Sequence, residues 1–251
     1  SHTQTPNGSF SFSVATSSVT GLLEYVDIVS LSNNHILDQG YAGYTFTESY
    51  LTERGVSTIG GPAVATGSVQ YLPYGEERVA LFALDTTKPF DMEEVLSLVE
   101  AVAASSAMQI ASIHWGEEYS ETHSPEQATL AQILIDAGVD MIVGHHSHTI
   151  QDIGWYDGVP IFYSLGNFIF DQYFATSTQE SLAVELTVTN GEPSYRLLPM
   201  SSLAHASSPR LLPYSEKKQR LQALADKSHP LLAPAIAGSG TIEPAKLLAE
   251  F

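Results

Sequence analysis

Asp140–His148, DMIVGHHSH, is the stretch from which the rest of the chain is best read. A short apolar run, Met141-Ile142-Val143, ends in Gly144, and His145, His146 and His148 follow. The run reads as a buried strand, with Ala137-Gly138 closing a helix just ahead of it. The histidines then fall on the turn leaving the strand's C-terminal end, where open α/β sheets place their ligands. Gly144 lets the backbone turn without a Cβ in the way. His146 and His148, one residue apart, can aim two imidazoles at a single divalent ion. A solvated His-rich loop would carry the same letters, so the decision rests on three further stretches.

The first is Asp27–Leu31, a short buried strand that runs into Ser32-Asn33-Asn34-His35-Ile36-Leu37-Asp38. The second is QIASIHWGEE, Gln109–Glu118, in which a strand over Ile110–Ile113 delivers His114. The third is PIFYSLGNFIFD, Pro160–Asp171, read as a strand, a Gly166-Asn167 turn and a second apolar segment.

Helical patterns lie between these strands. Ser17 and Ser18 are candidate N-caps for a helix through Leu22, Leu23 and Val26. Gly40–Arg54 reads as a helix stopped by Gly55, and Asp91–Ala104 places Met92, Val95, Leu98, Val99 and Val102 at helical spacing. Ser124, Pro125 and Gln127 open a further helix to Ala137 as a capping box. Strand patterns also cover Phe10–Val14, Gly67–Leu72 and Arg78–Leu84. Glu180–Thr189 and Ser194–Met200 form a hairpin around Asn190-Gly191, and Leu211–Lys227 is helical. Strands alternating with helices predict an α/β fold, in which parallel strands bring the three chemical ends to one edge of one sheet.

An amide oxygen and imidazoles together form a ligand set for Zn, Mn or Fe rather than Ca. The candidate metal ligands are Asn34, His114, His146 and His148, and His35 is placed as a proton donor beside them. Each residue taken singly also has a plain reading, Asn34 as a turn residue and His114 as a core histidine. Glu117 and Glu118 either orient ligands or face water. Tyr163, Ser164 and Asn167 either line the pocket or pack beneath it, and Trp115 is either its wall or core.

Composition bounds the function. The 251 residues are 43% hydrophobic, enough for one large domain, and no apolar run approaches the ~20 residues of a membrane span. Ten Lys+Arg against 28 Asp+Glu give a net charge of −18, which argues against a nucleic-acid partner. Cysteine is absent, so no thiolate site or disulfide exists.

Four motifs, SLSNNHILDQG, SIHWGEEY, VDMIVGHHSHTIQ and IFYSLGNFIFD, resemble the CapA-like capsule poly-γ-glutamate synthesis family of the calcineurin-like metallophosphoesterase superfamily. The resemblance runs from Asp27 to Asp171 in the family's order. It implies a layered α/β/β/α sandwich and one or two divalent metal ions at the strand ends. Asn34 resembles the family's asparagine ligand, His35 its catalytic histidine, His114 the lone histidine ligand, and His146 and His148 the Gly-His-x-His pair. It also implies an anionic polymer or a phosphorylated small molecule as substrate, a membrane-associated capsule synthesis complex as partner, and an extracellular or cell-envelope location.

The chain departs from that pattern before Asn34. The family's Gly-Asp strand and Asn-Leu-Glu segment are not found there, and Ser1–Tyr25 holds a single acidic residue, Glu24. Asp38, Glu117 and Asp171 are the nearest candidate substitutes. The expectation is a chain cut from something longer, with an open edge beside Asp27–Leu31 and at most one weakly held metal. Residues 1–200 are expected to form the metallophosphoesterase-like domain and 201–251 a helical C-terminal extension packed on it. Two functions stand: a metal-dependent hydrolase, or a non-catalytic accessory component of capsule polymer synthesis or export.

Overall fold

The computed structural model describes residues 2–4, 10–64, 69–202 and 208–249. It is a mixed α/β protein whose chain divides into two compact units, Ser1–His114 and Trp115–Phe251.

In the first unit, β1 (His2–Gln4) and β2 (Phe10–Phe12) form an antiparallel hairpin ahead of α1 (Thr16–Leu23). Ser17 and Ser18 lie inside α1 rather than capping it; Ala15 holds the cap position in an extended conformation, without a side-chain bond. β3 (Ile28–Ser30) leads to α2 (Gly40–Thr52) and pairs in parallel with β4 (Ser57–Ile59). Gly55 ends the helical segment with a φ of 77° that only glycine adopts without cost.

β5 (Gln70–Tyr74), β6 (Glu77–Asp85) and β7 (Met108–His114) follow, β5 antiparallel and β7 parallel to β6. Gly67 and Ser68, expected to start a strand, fall outside the described residues. The crossover between β6 and β7 is α3 (Met92–Ala103). Asp91 caps it by accepting from the Glu93 N–H, and Glu93 and Glu94 put negative charge at the positive end of the helix dipole. Val95, Leu98, Val99 and Val102 are its buried face, and they join Ala80, Phe82, Leu84, Ala111 and Ile113 in the core.

One expectation fails here. Among the described residues β3 pairs with β4 in a separate two-stranded sheet, not in the sheet of β6 and β7. The link is a side chain: the buried Ser32 hydroxyl donates to Gly61 O and Ala83 O, at 3.3 and 3.2 Å. Gly60 permits this approach, because a Cβ there would stand 2.1 Å from Ser32 Oγ and 2.9 Å from the Ala83 Cβ.

In the second unit, α4 (Pro125–Asp136) opens with the expected capping box of Ser124 and Gln127. β8 (Met141–His145) is parallel to β10 (Val159–Phe162), which pairs antiparallel with β9 (Ile153–Tyr156) through a turn at Asp157 and Gly158, both at positive φ. β11 (Glu180–Thr189) and β12 (Glu192–Ser201) form a ten-residue hairpin closed by Asn190 and Gly191 at φ of 53° and 84°. β13 (Arg210–Leu211), α5 (Tyr214–Lys227), α6 (Ala233–Gly238), β14 (Thr241–Ile242) and α7 (Pro244–Leu248) complete this unit. Here β13 and β14 pair with β12, α5 buries Leu221, Leu224 and Ala225, and Ser228 Oγ accepts from the Ile153 N–H at 3.0 Å. Among the described residues no helix is long and apolar enough to cross a membrane.

Gly144 does not make the turn; it is the fourth residue of β8, and the chain bends after it, at His146. It is glycine because a Cβ would lie 1.9 Å from Tyr163 O and 2.3 Å from Trp115 Nε1. Backbone and a buried indole cannot yield as a flexible side chain would. Gly144→Ala is therefore expected to destabilise the protein by at least ~2 kcal/mol, the upper part of the usual cost of overpacking. Urea unfolding measures it, and an unchanged midpoint would refute the close approach.

Candidate functional site

In the first unit, the turn after β3 presents Asn34 and His35. Asn33 Oδ1 accepts from the His35 N–H at 2.9 Å and shapes the turn, and Lys88 Nζ donates to the Asn34 backbone carbonyl at 3.2 Å. Asn34 Oδ1 lies 3.0 Å from His114 Nε2, although the two residues are 80 apart in sequence. Two donors bound to one ion by ~2.1 Å bonds at a right angle stand ~3.0 Å apart, so this pair already has the spacing of ligands sharing a metal. Without the metal, His114 Nε2–H donates to the amide oxygen; an ion would take that proton's place.

His35 is held from behind. Its Nδ1 stands 2.9 Å from Asp38 Oδ2, an atom that also accepts from the Phe12 N–H at 2.7 Å. A carboxylate only accepts, so Nδ1 carries the proton and Nε2 is the nitrogen left for chemistry. The Phe12 ring meets the His35 ring edge-on at 4.5 Å. Asp38 therefore serves His35, which accounts for its position better than metal bridging does.

In the second unit, His146 and His148 both adopt left-handed backbone, at φ of 96° and 60°. Non-glycine residues hold such conformations at a cost of ~1–3 kcal/mol, and they cluster at functional sites. The two ring centroids are 6.4 Å apart. Each imidazole centroid sits ~3.2 Å from an ion it ligates, so this is the outer limit for sharing one. His148 Nδ1 contacts Asn167 Oδ1 at 2.8 Å. Burial pushes the imidazole of His145 down to about 4, which keeps it neutral.

The remaining sequence candidates separate. Trp115 is core, donating its indole N–H to Tyr163 O at 2.8 Å. Tyr163 and Ser164 are buried, while Glu117, Glu118 and Asp171 are exposed. Among the described residues no three His, Asp or Glu side chains stand close enough to enclose a metal ion. The Asn34–His114 pair fits a divalent ion by spacing and donor chemistry.

Two features were not read from the sequence. Asp85 ends β6 in register with His114 and accepts from Thr87 N and Oγ1. Its signal was visible as an apolar run ending in an acid, like the runs ending in histidine. His123 and Asp152 form a second imidazole–carboxylate pair at 2.7 Å, with the His123 ring stacked 4.0 Å from that of Tyr163. Their 29-residue separation left no local signal.

A mixed α/β protein with imidazoles and an amide at its strand ends is the class that fold and site define. The family of bacterial capsule synthesis proteins, PGA_cap, matches residues 1–172, and the chain belongs to it. It is 28% identical over 211 residues to the "PGA biosynthesis protein CapA" of Bacillus subtilis, covering 77% of this chain and 55% of that protein. It is 29% identical over 222 residues to a "Probable polyglutamine synthesis accessory protein" of Mycobacterium tuberculosis, covering 78% and 57%. The chain thus spans about half the length of the curated relatives it matches. Among solved structures it is similar to a putative 5'-nucleotidase from Staphylococcus aureus (15% identity, TM-score 0.48, covering 79% of this chain and 41% of that one). A novel phosphatase from Mycoplasma pneumoniae is similar at 11% identity and a TM-score of 0.40, covering 78% and 85%.

Burial opposes ionisation of Asp152, but hydrogen bonds from the His123 ring and backbone N–H outweigh it and hold the carboxyl below its ordinary range. A depressed folded-state value means stability that is present above the ordinary carboxylate range and lost as pH falls through the folded value. Asp152→Asn should therefore be less stable than the parent at pH 7. The two should converge in acid, once Asp152 is protonated in both states. Urea midpoints across pH 2–8 test this, and a constant difference would disprove the linkage.

Proposed function

We propose that the chain carries a metal-dependent hydrolase site acting on an anionic substrate, either a phosphoester or an amide-linked acidic polymer. Asn34, His114, His146 and His148 are the ligands in this reading, for Mn, Fe or Zn. The observation that carries it is the 3.0 Å approach of Asn34 Oδ1 to His114 Nε2. A bound divalent ion would lower the pKa of a coordinated water and offset charge on the attacked group. That offset matters here, because a chain of net charge −18 otherwise repels an anion.

His35 is the proton donor to the leaving group in its imidazolium form: Nε2–H is given up, Nδ1–H stays on Asp38, and the neutral ring is left behind. Asp38 is its positioning residue, fixing the ring by the Nδ1 bond and anchored in turn by the Phe12 N–H. Lys88, on the Asn34 carbonyl, holds the turn that presents both residues.

The second reading is an accessory component of capsule polymer synthesis or export in the cell envelope, without catalysis. It is favoured by the engagement of Asp38 with His35, which leaves that carboxylate unavailable as a bridge between two ions.

Calorimetric titration with Mn2+ and with Zn2+ tests the first reading. The parent chain should take up metal, and Asn34→Ala or His114→Ala should weaken uptake. His35→Ala should keep the metal and lower hydrolysis of p-nitrophenyl phosphate or of poly-γ-glutamate by ~10²–10⁴. Loss of metal from His35→Ala to the extent seen for Asn34→Ala would overturn the assignment of roles. Metal uptake with no hydrolysis of either substrate would favour the accessory reading.

A further inference from the structure

The segment Gly166–Thr178 contains side chains that the reaction above does not use, and they close a ring around His148. His148 Nδ1 meets Asn167 Oδ1 at 2.8 Å. Asn167 Nδ2 donates to Gln172 Oε1 at 3.1 Å, and Gln172 Nε2 donates to Tyr119 Oη at 3.1 Å. The Tyr119 ring then stacks on the His148 ring, with centroids 5.8 Å apart and planes 25° from parallel. Tyr119 is fixed at its other end by its own N–H, which donates to Ser147 O at 2.7 Å.

One atom sets the direction of every bond in this ring. Asn167 Nδ2 also donates to the backbone carbonyl of Thr178, at 3.0 Å, and a carbonyl can only accept. The Asn167 amide therefore cannot be turned over: its oxygen faces His148 and must receive a proton from Nδ1. That leaves Nε2 of His148 as the bare nitrogen, the form a metal requires. Asn167 and Thr178 are buried, and Thr178 Oγ1 ties the segment further by donating to Gln172 O and Ala175 O.

We propose that Gln172 and Tyr119 are positioning residues which, through Asn167, lock His148 in the Nδ1–H tautomer with its ring aimed by the Tyr119 stack, and so set the metal affinity of the site. The metal part of this rests on the proposed function; the tautomer lock stands on the hydrogen bonds alone. Gln172 supplies the second acceptor that holds the Asn167 amide, and Tyr119 holds Gln172. Removing either leaves the amide on the Thr178 carbonyl alone, so its oxygen still faces His148 but is held less firmly, and the imidazole can rotate away from it and sample the Nε2–H tautomer.

The test is the 15N chemical-shift pattern of His148 in the metal-free full chain, read beside a zinc titration, for the parent, Gln172→Leu and Tyr119→Phe. The parent should show Nδ1–H. Gln172→Leu should show a mixture of tautomers and a zinc Kd weaker by ~10-fold, in the range found when ligand-orienting residues are lost. Tyr119→Phe removes one oxygen, keeps the stack, and should move both readouts in the same direction by less. It also carries the test if Gln172→Leu fails to fold. An Nε2–H tautomer in the parent, or unchanged tautomer and zinc affinity in a folded variant, overturns the proposal. If the parent takes up no zinc, the metal reading fails by itself, and the 15N pattern still decides the lock.

Discussion

The hydrogen bond from the Trp115 indole to the Tyr163 carbonyl fixes where the histidine loop begins. It passes over Gly144, and no other residue leaves room for it. Trp115 N–H donates to His145 O and Leu165 N–H to Gly144 O, so the end of β8 is tied on two sides. A strand end held this firmly can force His146 and His148 into left-handed backbone, a conformation that free loops rarely give to histidine. The first unit uses a hydroxyl for the same purpose. Ser32 joins two sheets that share no strand, and Asn34 follows two residues later.

Three of the histidines are presented by a common device. Nδ1 of His35 is held by Asp38, that of His123 by Asp152 and that of His148 by Asn167. In each case the partner determines the ring's orientation and which nitrogen faces outward. The choice of partner differs with task. Two carboxylates hold histidines that are not proposed metal ligands, and a neutral amide holds the one that is. An amide orients the ring without adding negative charge to a chain that already carries −18.

Membership of the PGA_cap family places the chain among capsule synthesis proteins, and its match covers about half the length of the relatives named for that role. The described residues show two separate arrangements, Asn34 on His114 in the first unit and His148 on Asn167 in the second. The proposed hydrolase reading assigns a metal ion to these groups, and the accessory reading assigns them no catalysis.

Much of the architecture was legible in the sequence because it is local. The capping box at Ser124, the apolar spacing of α3 and the Asn190-Gly191 hairpin are decided by residues within a turn of each other, and the α/β class follows from their alternation. The motifs also placed histidines at strand ends: β7 ends at His114, and β8 ends at His145 with His146 and His148 following. The sequence could not show that β3 lies outside the sheet of β6 and β7, because the join is one serine hydroxyl rather than a ladder. Nor could it show the role of Gly144, which is read as a turn residue until Tyr163 and Trp115 are placed against it. The same holds for the partners of the histidines at a distance: Asp152 for His123 and Asn167 for His148. Hydrophobic period and capping act over a few residues and are written in order along the chain. The state of an imidazole depends on the atom opposite its ring, and only tertiary structure brings that atom there.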